Sequence, residues 1–257
     1  MAPIAEPRAE LAPLPKADGS ATYSYSGYTV TSAVNGPIEA QRRDENPFEA
    51  LIDVNIRPAA GVGGTAERHL ESILQRALRQ LIPIRNFPRS VIQITLQVTE
   101  TPENAYANTK VIQAQLNLAI IPALLHAAIL GLLTAAIPLK TIATAVTLAI
   151  PAADSGSSGI VVDPSTREAD TAKSLHVLGY TSGEDELLLA ESQGAFTVDE
   201  WETVLRTGQD VCCRAAQWGL EEEDTAMTGS GGLESASIRA FIRSVMETKI
   251  AADNSWK

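Results

Sequence analysis

Two cysteines, three histidines and 5% aromatic residues in a chain of 257 leave little material for several kinds of site. Cys212 and Cys213 are neighbours in a helical pattern, so their side chains diverge and suit neither a structural disulfide nor a chelate. This predicts a reducing compartment. His69, His126 and His176 lie far apart with no Cys or acidic partner at ligand spacing, which argues against a tight zinc site. No G-x-x-x-x-G-K-[ST] loop and no G-x-S-x-G elbow occurs, and the run Asp154 to Gly159 (DSGSSG) lacks the spacing of a nucleophile turn. The segment MAPIAEPRAELAPLPK has acids and prolines where a secretory signal needs a basic start and an apolar core, so an intracellular protein is expected.

Positive charge is also scarce. Lys and Arg number 20 against 31 Asp and Glu, a net charge of −11. A free-standing protein that grips nucleic acid by counterion release carries a basic face, and this composition argues against one. The deficit is uneven: residues 1–128 hold 11 basic and 12 acidic side chains, residues 129–257 hold 9 and 19. If RNA touches this protein, the N-terminal half is the side to examine.

What is present is ordinary globular material, 45% hydrophobic, with 17 Gly and 14 Pro spread along the chain. TYSYSGYTVTSAVNG (Thr22 to Gly36) alternates as a hairpin with a turn near Gly27, and Asn35-Gly36-Pro37 is expected to break the strand. FEALIDVNIRP, from Phe48, puts Ala50, Ile52, Val54 and Ile56 on one strand face. From Thr65 to about Leu81, Leu70, Ile73, Leu74, Ala77, Leu78 and Leu81 repeat at helical spacing. SVIQITLQVTE is a further strand. Val111 to Leu139 carries no formal charge and is long enough for a membrane span. Gln113, Gln115, Asn117, Pro122 and His126, with the small Ala119, Ala123, Ala127 and Ala128, favour a central helix buried by sheets instead. Short strands follow at Thr141–Ile150, around Val161, at Leu175–Tyr180 and at Glu186–Ser192. Thr197 and Glu200 form a capping-box pattern ahead of a helix ending at Gly219. Residues 220–232, acidic and then glycine-rich, read as an exposed loop before a last helix from about Leu233 to Ile250. The chain thus reads as α/β of the α+β type, with residues 1–257 forming one unit of two sheet-and-helix layers.

Three constellations invite chemistry. Gly61-x-Gly63-x-x-Ala66 has the dinucleotide spacing, but Pro58 and two alanines separate it from the strand, and Arg85 and Asn86 stand where the ribose-binding acid belongs. Asp163, Glu168 and Asp170 have carboxylates spaced to hold Mg²⁺ through water, although a solvated acidic turn is the commoner meaning. Arg42, Arg43, Arg85 and Arg89 lie in loops beside strands, where they suit phosphate contacts or subunit interfaces.

RAELAPLPKADGSATYSYSGYTVTSAVNGPIEA, from Arg8 to Ala40, resembles the opening of the RNase PH-like ring subunits of the RNA exosome. IRPAAG, the ILQRALR helix and QGAF extend the likeness over nearly the whole chain. The resemblance implies an RNase PH-like fold, head-to-tail pairing, and six related subunits closing a ring around an RNA channel. Active family members degrade RNA from its 3′ end with phosphate, held by a Gly-Gly-Thr-Arg-like loop at the start of the central helix. Here Ala119, Ile120, Ile121 and Pro122 fall at that place, and Ser174 falls where the family's Asp-Met-Asn-like step supplies a catalytic aspartate. The resemblance therefore implies a non-catalytic structural subunit without cofactor or metal, and with no catalytic residue of its own. A weakly active phosphorolytic nuclease working as a homodimer is the alternative. The implied partners are other RNase PH-like subunits, exosome cap proteins, an associated hydrolytic exoribonuclease, and RNA in the channel. Arg42 and Arg43, with Arg89 as a weaker third, are the expected RNA contacts. The implied location is nucleus and nucleolus, and also cytoplasm.

Overall fold

The computed structural model describes residues 7–43, 45–102, 117–152, 159–213 and 238–255. Nine strands and five helices lie among them: β1 (Arg8–Leu11), β2 (Gly19–Tyr25), β3 (Tyr28–Glu39), β4 (Leu51–Arg57), α1 (Thr65–Leu81), β5 (Ser90–Glu100), α2 (Ile121–Thr134), β6 (Ala143–Pro151), β7 (Val161–Val162), α3 (Thr166–Thr171), β8 (Ala172–Thr181), β9 (Leu187–Gly194), α4 (Val198–Cys213) and α5 (Ile238–Asp253). They form a five-stranded sheet ordered β1-β2-β3-β5-β4 and a four-stranded sheet ordered β7-β6-β8-β9.

Local sequence explains most of this. Period-two alternation buries Ile52, Val54 and Ile56 of β4 while their neighbours face out. The helical stripe of α1 buries the six residues its periodicity selects, Leu70, Ile73, Leu74, Ala77, Leu78 and Leu81. The β2–β3 hairpin turns at Ser26 and Gly27, both at positive φ, a conformation that costs glycine nothing.

α2 decides the architecture. One side packs against β2 and β3, the other against β6, and residues Ile121 to Leu132 are all buried. Such a helix needs no polar face, so its sequence is apolar all round. It approaches β3 so closely that a Cβ on Gly131 would lie 2.5 Å from Ser32 Oγ. β6 is buried on both faces because α2 covers one and α4 the other, through Val146, Leu148, Leu178, Tyr180 and Val204. Among the described residues no helix is long and apolar enough to cross a membrane.

Several expectations need correction. Asn35-Gly36-Pro37 does not end the strand: β3 continues to Glu39, and its pairing with β5 absorbs the irregularity as a register shift between Asn35 and Ile38. The strand expected from Phe48 begins at Leu51, because Asn46 to Glu49 fold into a side-chain-bonded turn. The central helix stops at Thr134, with Ala136 at positive φ, and does not reach Leu139. Arg85 sits in a 3-10 turn (Ile84–Asn86), not in an irregular loop. The expected loop at 220–232, the helix end at Gly219, the last helix's start at Leu233, Val111 to Gln115 and most of DSGSSG lie outside the described residues.

Candidate functional site: a cavity at the helix start and a basic loop cluster

The N-terminus of α2 opens into a cavity of about 460 Å³. Its walls come from the β2–β3 turn (Tyr25, Ser26, Tyr28), the entrance to α2 (Asn117, Ala119, Pro122), the β7–α3 segment (Asp163, Thr166, Asp170), the start of β8 (Lys173 to Leu175) and the end of β9 (Gln193, Gly194). Topology gathers them: the hairpin turn and the α2 entrance lie at one end of the first sheet, and the second sheet closes over both.

A helix N-terminus offers unpaired backbone N–H groups and partial positive charge. Here that end carries no charged side chain. Ile120 and Ile121 are buried, while Ala119 and Pro122 face the cavity, and Pro122 has no N–H to donate. The one basic side chain on the wall among the described residues, Lys173, is paired with Glu200 at 2.6 Å. Hydrogen bonds from Lys173 and from the Thr197 backbone hold Glu200 down to about 2. Thr197 N–H donates to Glu200 Oε2 at 2.7 Å, which completes the expected capping box of α4.

The cavity's acidic side is better built. Tyr25 donates its hydroxyl to Asp163 Oδ2 at 2.6 Å, joining the first sheet to the second across 138 residues of sequence. Burial pushes the Asp163 carboxyl up, and hydrogen bonds from Tyr25 and the Thr147 backbone oppose that rise. Burial and the neighbouring Asp163 raise the Tyr25 phenol in turn. Asn117 Nδ2 donates to the Tyr28 hydroxyl at 3.1 Å.

The expected carboxylate trio does not assemble. Glu168 accepts from Ser165 N–H and Oγ, both at 2.8 Å, and caps α3, which draws its carboxyl down. Asp163 and Asp170 remain on the cavity wall, and no group of three or more His, Cys, Asp or Glu side chains able to hold a metal occurs among the described residues. The glycine-rich loop is likewise occupied, since Gly64 N–H donates to Glu67 Oε2 at 2.6 Å. A carboxylate stands where a bound phosphate would have to sit.

Ser174 borders the cavity, yet its hydroxyl bonds His176 Nε2 at 2.9 Å, and His176 Nδ1 bonds Ser192 Oγ at 2.9 Å. Phe196 and Trp201 pack around the imidazole at centroid distances of 4.8 and 5.4 Å. Sequence reading missed this polar chain and the Tyr25–Asp163 bond. Ser174-x-His176 in a strand was a usable signal for a shared face, whereas nothing local announces Ser192 or Asp163.

The arginines lie elsewhere. Arg42 and Arg43 are exposed in the turn after β3, and Arg89, at positive φ, pairs with Glu45 at 3.2 Å. Backbone bonds from Ala40 to Arg89 and from Arg89 to Asn46, each 3.0 Å, and from Ala50 to Ile84 at 2.9 Å, stitch the loops around residues 40–50 and 84–89 together. The structure thus brings Arg42, Arg43, Arg85 and Arg89 to one end of the first sheet. The cavity lies at the other.

Comparison with known proteins places this arrangement. Residues 6–138 match domain 1 of the 3′ exoribonuclease (RNase PH) family, and residues 135–211 match domain 2. The chain belongs to this family. It is homologous to the exosome complex component RRP46 of Saccharomyces cerevisiae, 31% identical over 80% of this chain and 89% of the yeast protein. The exosome complex component rrp46 of Schizosaccharomyces pombe is 33% identical over 34% of this chain and 38% of its own. In three dimensions it is similar to rice Rrp46, with a TM-score of 0.66 and 24% identity over 79% of this chain and 87% of that one. An Archaeoglobus fulgidus exosome with RNA bound to its active site gives a TM-score of 0.62 at 16% identity, covering 80% of this chain and 85% of that one. The RNase PH fold expected from the sequence, with α2 between two sheets, is what the chain adopts.

Proposed function

We propose that the protein is a non-catalytic structural subunit of an RNA exosome ring, supporting 3′–5′ RNA processing and degradation, ribosomal RNA processing included, by channelling RNA to associated nucleases. One observation carries the reading: the helix start facing the cavity is Ala119 to Pro122, without a charged side chain, and among the described residues the one cation on the cavity wall is already paired with Glu200. A multiply charged phosphate at an attack site needs several fixed donors and positive charge. Homology to yeast RRP46 supports membership of an exosome ring with other RNase PH-like subunits; cap proteins and a hydrolytic exoribonuclease as further partners, and nucleus, nucleolus and cytoplasm as locations, are part of the same proposal. Residues 1–257 are read as one unit, because both sheets contribute to the core around α2. Arg42 and Arg43, and more weakly Arg89, are the candidate RNA contacts, positioning phosphates without reading sequence.

The second reading, a weakly active phosphorolytic homodimer, draws its support from Asp163 and Asp170, which keep two carboxylates on the cavity wall. Incubating the purified chain with RNA, Mg²⁺ and saturating inorganic phosphate separates the two. The expected result is no release of nucleoside diphosphates. Release that disappears in Asp163→Asn or Asp170→Asn would replace the structural reading with the enzymatic one.

A further inference from the structure

Phe48 is 81% exposed, beside the stitched loops that carry the arginines. An apolar ring left in water on a floppy loop would mean little, but here the backbone is held. Phe48 N–H donates to Asn46 Oδ1 at 3.1 Å, Asn46 Nδ2 donates to Glu49 Oε1 at 3.2 Å, and Asn46 O accepts the N–H of Arg89. Glu49 is in turn paired with Arg79 of α1, and Ala50 is tied to Ile84. The bonds hold the backbone that carries the ring, so binding would have to order only the side chain.

The charges around it are unbalanced in one direction. Glu45 and Glu49 are taken up by Arg89 and Arg79, and against the exposed, unpaired Glu39 stand three exposed arginines, Arg42, Arg43 and Arg85, with no ion pair among the described residues. In a chain of net charge −11 this is an exception that asks for an anion. An exposed aromatic on a bonded turn among unpaired arginines is the pattern that holds single-stranded nucleic acid, in which a π-face and a phosphate recur with every nucleotide. An acidic protein surface would satisfy the arginines and leave the ring unexplained.

We propose that Phe48 is a stacking platform for a base of single-stranded RNA, with Arg42, Arg43 and Arg85 holding the flanking phosphates. The proposal rests on the reading of Arg42 and Arg43 as RNA contacts and adds a contact that is independent of charge. Stacking accepts any base, so the site is sequence-tolerant.

The test uses the full chain at low ionic strength and two probes of equal length, an oligoadenylate and an abasic ribose-phosphate oligomer. Phe48→Ala is expected to weaken oligoadenylate binding roughly five- to fifty-fold. It leaves the abasic oligomer, the salt slope and the melting temperature unchanged, and Phe48→Trp restores binding. Arg42→Glu/Arg43→Glu weakens both probes and lowers the salt slope. If Phe48→Ala binds oligoadenylate as the unaltered chain does while the arginine variant does not, stacking is overturned and the arginine reading stands. If neither variant changes binding, or the unaltered chain binds neither probe, both fall. If Phe48→Ala instead abolishes self-association or ring assembly, Phe48 is a protein contact and the proposal is wrong.

Discussion

The two ends of β3 kept different things. At Tyr28 the strand borders a cavity with buried, mutually bonded polar groups and, among the described residues, no unpaired cation on its wall; at Glu39 it leads into exposed loops rich in cations. A twelve-residue strand sets these ends roughly 35 Å apart, so no arginine of the loops reaches the cavity. One end is held by the core and its groups answer for stability. The other projects into solvent, and its groups are free to answer for binding. Within one fold, shape and charge have been separated.

The sharpest way to break this contrast is to perturb the core behind the cavity. Leu124, fully buried in α2 between the sheets, becomes a cavity-creating site as Leu124→Ala. A loss of about 2–5 kcal/mol is expected in denaturant unfolding, since both sheets pack on the same helix and the gap cannot collapse. A loss under about 0.5 kcal/mol, the range of an exposed site, would mean that α2 is not the shared core.

A smaller effect comes from His126, whose Nε2 accepts the Ala145 N–H at 3.0 Å and whose burial holds its pKa down to about 3. The unfolded chain takes up a proton near 6.5 and the folded chain does not until far lower pH. Stability is therefore complete above 6.5 and falls as pH drops toward 3, by up to about 1.4 kcal/mol per pH unit from this group. Asp163, raised by burial, works in the opposite sense at the acid end, so the histidine is isolated by comparing His126→Gln with the unaltered chain across pH. The variant's stability is expected to depend less steeply on pH between 6.5 and 4. Parallel curves would show that His126 does not stay neutral.

At the solvent end the expected stability change is nearly nil. Arg42→Glu/Arg43→Glu is expected to shift unfolding by less than about 0.5 kcal/mol, because neither side chain is buried or paired among the described residues. RNA protection by the assembled complex is expected to weaken, with the salt slope reduced by roughly one or two. Protection equal to wild type at low and high salt would place these arginines against solvent or a neighbouring subunit. Arg89→Ala is the mildest change: it breaks an exposed pair worth at most about 1 kcal/mol and moves RNA binding less than the double variant does.

Local pattern made much of this legible in the sequence. α1 occupies the span and buries the stripe that its periodicity announces, β4 alternates as written, and Thr197 with Glu200 caps α4, because a helix face, a strand face and a cap each depend on residues a few positions apart. Family resemblance, not spacing, singled out Ala119 and Ser174, and the structure sets both on the wall of one cavity. Tertiary structure alone decided that β3 runs through Gly36-Pro37, since β5 could absorb the irregularity, and that Glu168 caps a helix and so leaves the acidic wall to Asp163 and Asp170. It alone joined Tyr25 to Asp163, and drew the arginine loops together through Ala40, Arg89 and Asn46. Near neighbours in sequence constrain one another through backbone geometry, whereas groups up to 138 residues apart meet only when the packing of sheets around α2 brings their loops to the same end.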